Sequence, residues 1–298
     1  MGTSASSSYL ALPSDYAALL KPRVMSLSIF TALVGMVAAP GPVTNWGLAI
    51  LSVIAIALGA GASAALNMWW DSDIDGRMAR TAGRPIPTGK VPAAEAFALG
   101  IVLSALSVWL LALSGGYLAA LLLAVTIGFY VVVYSMLLKR RTPQNIVIGG
   151  AAGALPPVVG YAAVAGSAPL EAWLLFVLIF IWTPPHFWAL GLIKRDDYEA
   201  AGIPMMPNVK GDEHTRLEIL IYSIVLVLGA PLIALSAMAG QVYLVASIVL
   251  GAEFLRRAYG LYQTTDNKGA GGLFGFSIFY LFALFLALLI EHWGGLHG

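Results

Sequence analysis

Long apolar stretches recur along the chain, and the connections between them alternate between two kinds. A bilayer crossing needs about 20 predominantly apolar residues. By that measure nine stretches stand out, at 24–39, 46–70, 93–113, 116–138, 144–165, 170–193, 217–237, 241–259 and 272–290. The connections after the first, third, fifth and seventh are short and uncharged: PGPVTN, SG, GSAP and AMAG. Those after the second, fourth, sixth and eighth are polar and basic. On this count all sixteen Lys and Arg residues fall on one side. Lys and Arg are retained on the cytoplasmic side of a membrane. The pattern therefore predicts an all-α, polytopic membrane protein with nine transmembrane helices, its N-terminus inside and its C-terminus outside. Residues 1–298 read as one membrane domain, with a polar N-terminal lead (1–20) and two long cytoplasmic loops (71–92 and 194–216).

Composition agrees. The chain is 59% hydrophobic and 10% charged, where a soluble domain carries about a quarter charged residues. A net charge of +1 gives no support to a nucleic-acid partner. The absence of cysteine excludes disulfides, thiolate metal sites and cysteine nucleophiles. The lead has no basic segment followed by a cleavage site, so it is not read as a signal peptide.

Chemistry concentrates where the second apolar stretch ends, in NMWWDSDIDGRMARTAGRPIPTGK (67–90). Asn67, Asp71 and Asp75 are spaced four apart. At about 100° per residue each step drifts only about 40°, so all three share one helix face, while Asp73 falls roughly opposite. Carboxylates converging at a helix end repel unless a cation lies between them. Hard oxygen donors at this spacing suit Mg²⁺, which completes its shell with water and substrate phosphates. Arg80 and Arg84 beyond them suit the same phosphate oxygens. The plainer alternative is a charged loop that only anchors topology. The second long loop, KRDDYEAAGIPMMPNVKGDEHTR (194–216), holds the equivalent place after the sixth stretch. This weak repeat predicts two half-sites facing each other across the bundle. Asp196 and Asp197 are adjacent, about 100° apart on a helix, and so do not copy the first cluster.

Other features are local. Lys21-Pro22-Arg23 reads as a topology anchor with Arg23 in reach of a phosphate. Pro156-Pro157 predicts a bend in the fifth stretch. His186, in TPPHFW, lies inside a bilayer segment and is a functional candidate on that ground; the alternative is a buried ring bonded to a neighbour. Trp69, Trp70, Trp182 and Trp188 suit an interfacial belt or a cavity that shelters a cation.

NMWWDSDID, with a second acidic loop after the sixth stretch, resembles the UbiA superfamily of intramembrane prenyltransferases. RTAGRPIPTGK (80–90), KRRTPQNIVIGGAAGALPPVVGY (139–161) and TPPHFWALGLIKRDDYEAAGIPMMP (183–207) are similar to its haem-directed branch. Many members carry a second DxxxD, but here positions 200 and 201 are both Ala; the retained Asp-Tyr pair directs attention to Asp197. The resemblance implies helices around a central cavity and transfer of the farnesyl group of farnesyl diphosphate to a vinyl group of haem b, giving haem O. It implies Mg²⁺ held by Asp71, Asp75 and Asp197 beside Asn67. Arg23, Arg80, Arg84 and Lys194 become diphosphate clamps, and His186 and Tyr198 become groups that contact haem or guide water. It also implies a bacterial cytoplasmic (inner) membrane, with haem A synthase or terminal-oxidase assembly factors as partners. Competing readings are a member acting on another aromatic acceptor such as 4-hydroxybenzoate, a transporter whose acids bind coupling ions, and a non-catalytic haem chaperone.

Overall fold

In hydrocarbon a backbone N–H or C=O has no water to bond, so an apolar segment must satisfy its own backbone as helix. The computed structural model describes residues 11–41 and 44–294, and among these every regular element is helical. Residues 1–10 of the lead lie outside the described part. A short helix, α1 (Pro13–Leu19), precedes α2 (Pro22–Val37) and meets it at 54°. Then come α3 (Trp46–Trp70), α4 (Ser72–Asp75) and α5 (Ala93–Gly128), the last continuing as a π-helical segment (Phe129–Leu138). After these follow α6 (Asn145–Ala154), α7 (Pro156–Ala165), α8 (Leu170–Ile193), α9 (Arg195–Ala200) and α10 (Met206–Lys210). The chain ends in α11 (Asp212–Gly229) with a 3-10 turn (Ala230–Leu235), α12 (Gln241–Gln263) and α13 (Lys268–Trp293).

Each of the nine apolar stretches is helical, but their number as crossings needs correction. By length and composition six helices among the described residues suffice to cross a membrane, or seven with the bent α1–α2 pair. The difference has two sources. Residues 93–138 form one continuous run of 46 residues, about 69 Å at 1.5 Å per residue, more than twice a hydrocarbon core of about 30 Å. Gly116, at φ 83° and ψ 170°, breaks it into two crossing-length pieces, a conformation that glycine adopts without a Cβ penalty. The other source is α12, 23 residues long, whose C-terminal half holds Glu253, Arg256 and Arg257. Both arginines bond Glu253 within the helix, so these two basic residues lie in the helix and not in the loop after it.

The elements close into a ring: α3 packs on α5, α2 on α7, α8 on α6, α11 and α13, and α13 returns to α2. Lipid tails are as apolar as leucine, so close backbone approach does what burial does in water. At the α2–α7 contact, a Cβ on Gly35 would lie 2.1 Å from the Pro157 carbonyl oxygen and one on Gly160 2.0 Å from that of Ala32. The expected bend occurs where α6 ends and α7 starts at Pro156, which has no N–H to continue the ladder. At the far end of the bundle, buried Glu291 accepts the N–H groups of Gly240, Val242 and Tyr243 and so caps α12.

Candidate active site

The acidic cluster forms because helical geometry survives the junction of α3 and α4. Asp71 N–H bonds the Asn67 carbonyl at 2.9 Å and Asp75 N–H bonds that of Asp71 at 2.8 Å, so the four-residue register continues past Trp70. Asn67, Asp71 and Asp75 are all buried. Asp73 points elsewhere: its side chain is 56% exposed and accepts two bonds from Arg140, at 2.7 and 2.8 Å. Those bonds hold the Asp73 carboxyl below the ordinary carboxylate range.

Basic groups from three parts of the chain surround the buried acids. Arg84 bonds Asp75 Oδ2 at 2.6 Å. Lys139 bonds Asp71 Oδ2, and Asn67 Nδ2 donates to the same oxygen at 2.7 Å. The π-helical segment sets the place of Lys139: its N–H reaches back five residues to the Tyr134 carbonyl, and Ser135 Oγ, bonded likewise to Tyr130, receives Asn67 Nδ2 at 3.1 Å. From the other side, Lys21 Nζ reaches Asn67 Oδ1 at 2.9 Å. Lys21 has φ 51° and ψ 53°, the only positive φ outside glycine among the described residues, and this left-handed elbow between α1 and α2 turns its side chain inward. Its hydrogen-bond partner is a neutral amide, so Lys21 brings the cage a basic group that neither Asp71 nor Asp75 engages. A bound anion would supply the charged partner that this buried amine lacks.

The two long loops meet. Ile74 and Met78 from the first pack in one cluster with Tyr198, Ala201, Ile203 and Met205 from the second, with Tyr134 and Phe187 against it. Tyr198 is buried in this cluster, and burial pushes its phenol above the ordinary value. Asp197 faces its own Lys194 at 4.0 Å, both partly exposed; Asp196 is exposed. Arg23 is exposed on the outer side of α2, and Lys21 holds the inward position beside Asn67. Lys21, Ser135, Lys139 and Arg140 are the site residues that sequence reading missed. Lys139 and Arg140 stood in view as a basic loop, and only the π-helical register turns them toward Asp71.

Among the described residues no three His, Asp or Glu side chains gather as a complete metal site. The donor set nonetheless fits Mg²⁺, which is bound by one or two carboxylates plus substrate phosphate. Asp75 Oδ1 is buried and without a hydrogen-bond partner, while its Oδ2 is taken by Arg84.

His186 lies in α8, its ring between Trp182 and Phe274 with centroids at 4.3 and 4.7 Å and Phe187 edge-on at 4.9 Å. A small, mainly apolar cavity of about 30 Å³ lies between α2, α3, α5 and α7. Its lining includes Ser63, one turn before Asn67, then Gly59 and Ile56, with Leu123, Ile127 and Val159 opposite.

The UbiA prenyltransferase family model matches residues 28–290. The chain is 54% identical to a protoheme IX farnesyltransferase of Parvibaculum lavamentivorans, over 95% of this chain and 90% of that one. It is 58% identical to one of Beijerinckia indica, over 94% and 88%. Among solved structures it shares its fold with a digeranylgeranylglyceryl phosphate synthase (TM-score 0.78, 17% identity, 94% and 98% of the two chains). A UbiA homolog from Archaeoglobus fulgidus bound to GPP and Mg²⁺ matches at TM-score 0.70 and 18% identity, over 92% of this chain and 99% of that one. A ring of membrane helices, two buried aspartates in a basic cage and kinship along nearly the whole length lead to one conclusion: this chain belongs to the UbiA prenyltransferase family.

Proposed function

We propose that this protein transfers the farnesyl group of farnesyl diphosphate to a vinyl group of haem b, giving haem O and diphosphate, at the cytoplasmic face of a bacterial inner membrane. The observation that carries the donor half is the cage: Asp71 and Asp75, both 0% exposed, ringed by Lys21, Arg84, Lys139 and Arg140. The acceptor is carried by the protoheme IX farnesyltransferases that the chain matches at 54–58% identity.

Breaking the allylic C–O bond leaves the electron pair on diphosphate, and the rate depends on how well that growing charge is met by fixed positive groups. Lys21, Arg84, Lys139 and Arg140 are such groups, held in place before substrate arrives. Asp71 and Asp75 Oδ1 would hold Mg²⁺, which when bound neutralises the same oxygens; Asp197, the third expected ligand, faces Lys194 instead and does not join that pair. Arg80 joins the clamp from the loop that carries Arg84, while Lys194, paired with Asp197, and the exposed Arg23 make no contact with Asp71 or Asp75 among the described residues. The apolar side chains lining the small cavity that begins at Ser63 mark the path of the isoprenoid chain, for which the helices must part, and they keep water from the allylic cation. The vinyl π electrons then form the new C–C bond, and water adds to the carbon left positive and loses a proton, giving the hydroxyethylfarnesyl group.

Membranes containing the protein are to be incubated with labelled farnesyl diphosphate, Mg²⁺ and either haem b or 4-hydroxybenzoate. Label on haem, lost on chelation, is the expected result. Label on 4-hydroxybenzoate alone would replace haem as the acceptor, and no diphosphate release with either would remove the prenyl-transfer reading.

A further inference from the structure

His186 is a buried imidazole that binding diphosphate leaves without a task. Its Nδ1 lies 2.6 Å from Ser277 Oγ, and Ser277 Oγ also donates to the Phe274 carbonyl at 2.7 Å. A carbonyl can only accept, so the single hydroxyl proton of Ser277 is committed to Phe274. Ser277 therefore offers His186 a lone pair, and Nδ1 must carry the ring N–H. In neutral imidazole that leaves Nε2 bare. Among the described residues Nε2 has no hydrogen-bond partner, and the residue is 7% exposed.

The ring is fixed as well as its tautomer. Trp182 and Phe274 stack on its two faces at 18° and 23°, and Trp182 Nε1 donates to the Ser277 carbonyl at 2.8 Å, locking α8 to α13 at this level. Phe187, edge-on to the imidazole, also packs against the cluster that joins the two acidic loops. The ring is thus one side chain from the junction where the acceptor must approach the donor. A ligating histidine characteristically donates its second ring N–H to a fixed acceptor, which sets tautomer and orientation. A general base would have to become imidazolium here, between two aromatic faces and with no carboxylate bonded to the ring. An iron ligand stays neutral.

On the reading that haem b is the acceptor, we propose that His186 Nε2 is an axial ligand of the substrate iron, with Ser277 as its positioning residue. One Fe–N bond at the centre of the macrocycle fixes its place while leaving the vinyl groups at its edge free to react.

The test uses full-length protein in detergent with haem b and no farnesyl diphosphate, read by resonance Raman of the ferrous state. The wild type is expected to show an iron–imidazole stretch. His186→Ala loses that band and regains it with added imidazole. Ser277→Ala, which leaves the ring in place, shifts it to lower frequency because Nδ1–H no longer has its acceptor. A band unchanged in both variants, or absent from haem-loaded wild type, overturns the ligand assignment alone. Wild-type protein that binds no haem overturns the acceptor reading and the ligand with it.

Discussion

Lys139, the first residue after the π-helical segment, donates a hydrogen bond to Oδ2 of Asp71, sixty-eight residues earlier in the chain. The contact joins the fourth predicted crossing to the end of the second and places a cation where diphosphate oxygens must lie. Replacing it by Lys139→Met keeps the bulk and removes the charge. Loss of one preorganised electrostatic group costs about 10²–10³ in kcat, and that loss is expected in Mg²⁺-dependent diphosphate release. A variant within a few-fold of wild type would take Lys139 out of the reacting site.

Asp75 offers the sharper test of the metal reading, because only one of its oxygens is engaged by Arg84. Asp75→Asn keeps the shape and gives up the anionic donor, so product formation should cease while the protein still inserts and folds. Asp71→Ala is expected to do the same. Normal turnover in either variant, assayed over a range of Mg²⁺ concentrations, contradicts the assignment.

Asp73 separates position from composition in the same tetrapeptide. Its carboxyl is held below the usual range by Arg140. A depressed folded-state value means the contact stabilises above the ordinary Asp pKa of about 3.9 and that this contribution is lost as pH falls through the lower folded value. The side chain is more than half exposed, so solvent keeps the effect small. Asp73→Asn should leave turnover at neutral pH within a few-fold and flatten the acid limb of Tm against pH. Superimposable Tm curves for variant and wild type below pH ~4 would show that the pair contributes nothing.

The α2–α7 contact predicts a contrast between Gly160, which lies in it, and Gly153, which lies outside it in α6. Gly160→Ala drives a Cβ toward the Ala32 carbonyl oxygen at 2.0 Å, and backbone cannot yield as a side-chain tip does; overpacking of this kind costs about 1–3 kcal/mol or more. Gly153→Ala meets nothing within 4 Å and should stabilise α6 by about 0.5–1 kcal/mol. Thermal unfolding in detergent measures both, and equal Tm values for the two variants would mean the helices separate freely there.

Some of this protein is local and therefore legible in the sequence. The apolar stretches become helices at nearly their predicted limits, with 46–70 and 170–193 reproduced as α3 and α8, because in a bilayer each segment must satisfy its own backbone. The face shared by Asn67, Asp71 and Asp75 follows from helical pitch alone, as does the exclusion of Asp73. The break at Pro156 follows from a missing N–H. What the sequence did not disclose depends on how segments far apart are packed: the choice of Lys21 over Arg23 is made by one left-handed residue at an elbow, and the inward turn of Lys139 by a π-helical register whose hydrogen bonds skip a residue. The tautomer of His186 is decided by a serine ninety-one residues away. Helix pitch and hydropathy act between near neighbours, so sequence determined the spans and the acidic face; the cations that complete the site are brought together only when the ring of helices closes, and that is a property of the packed whole.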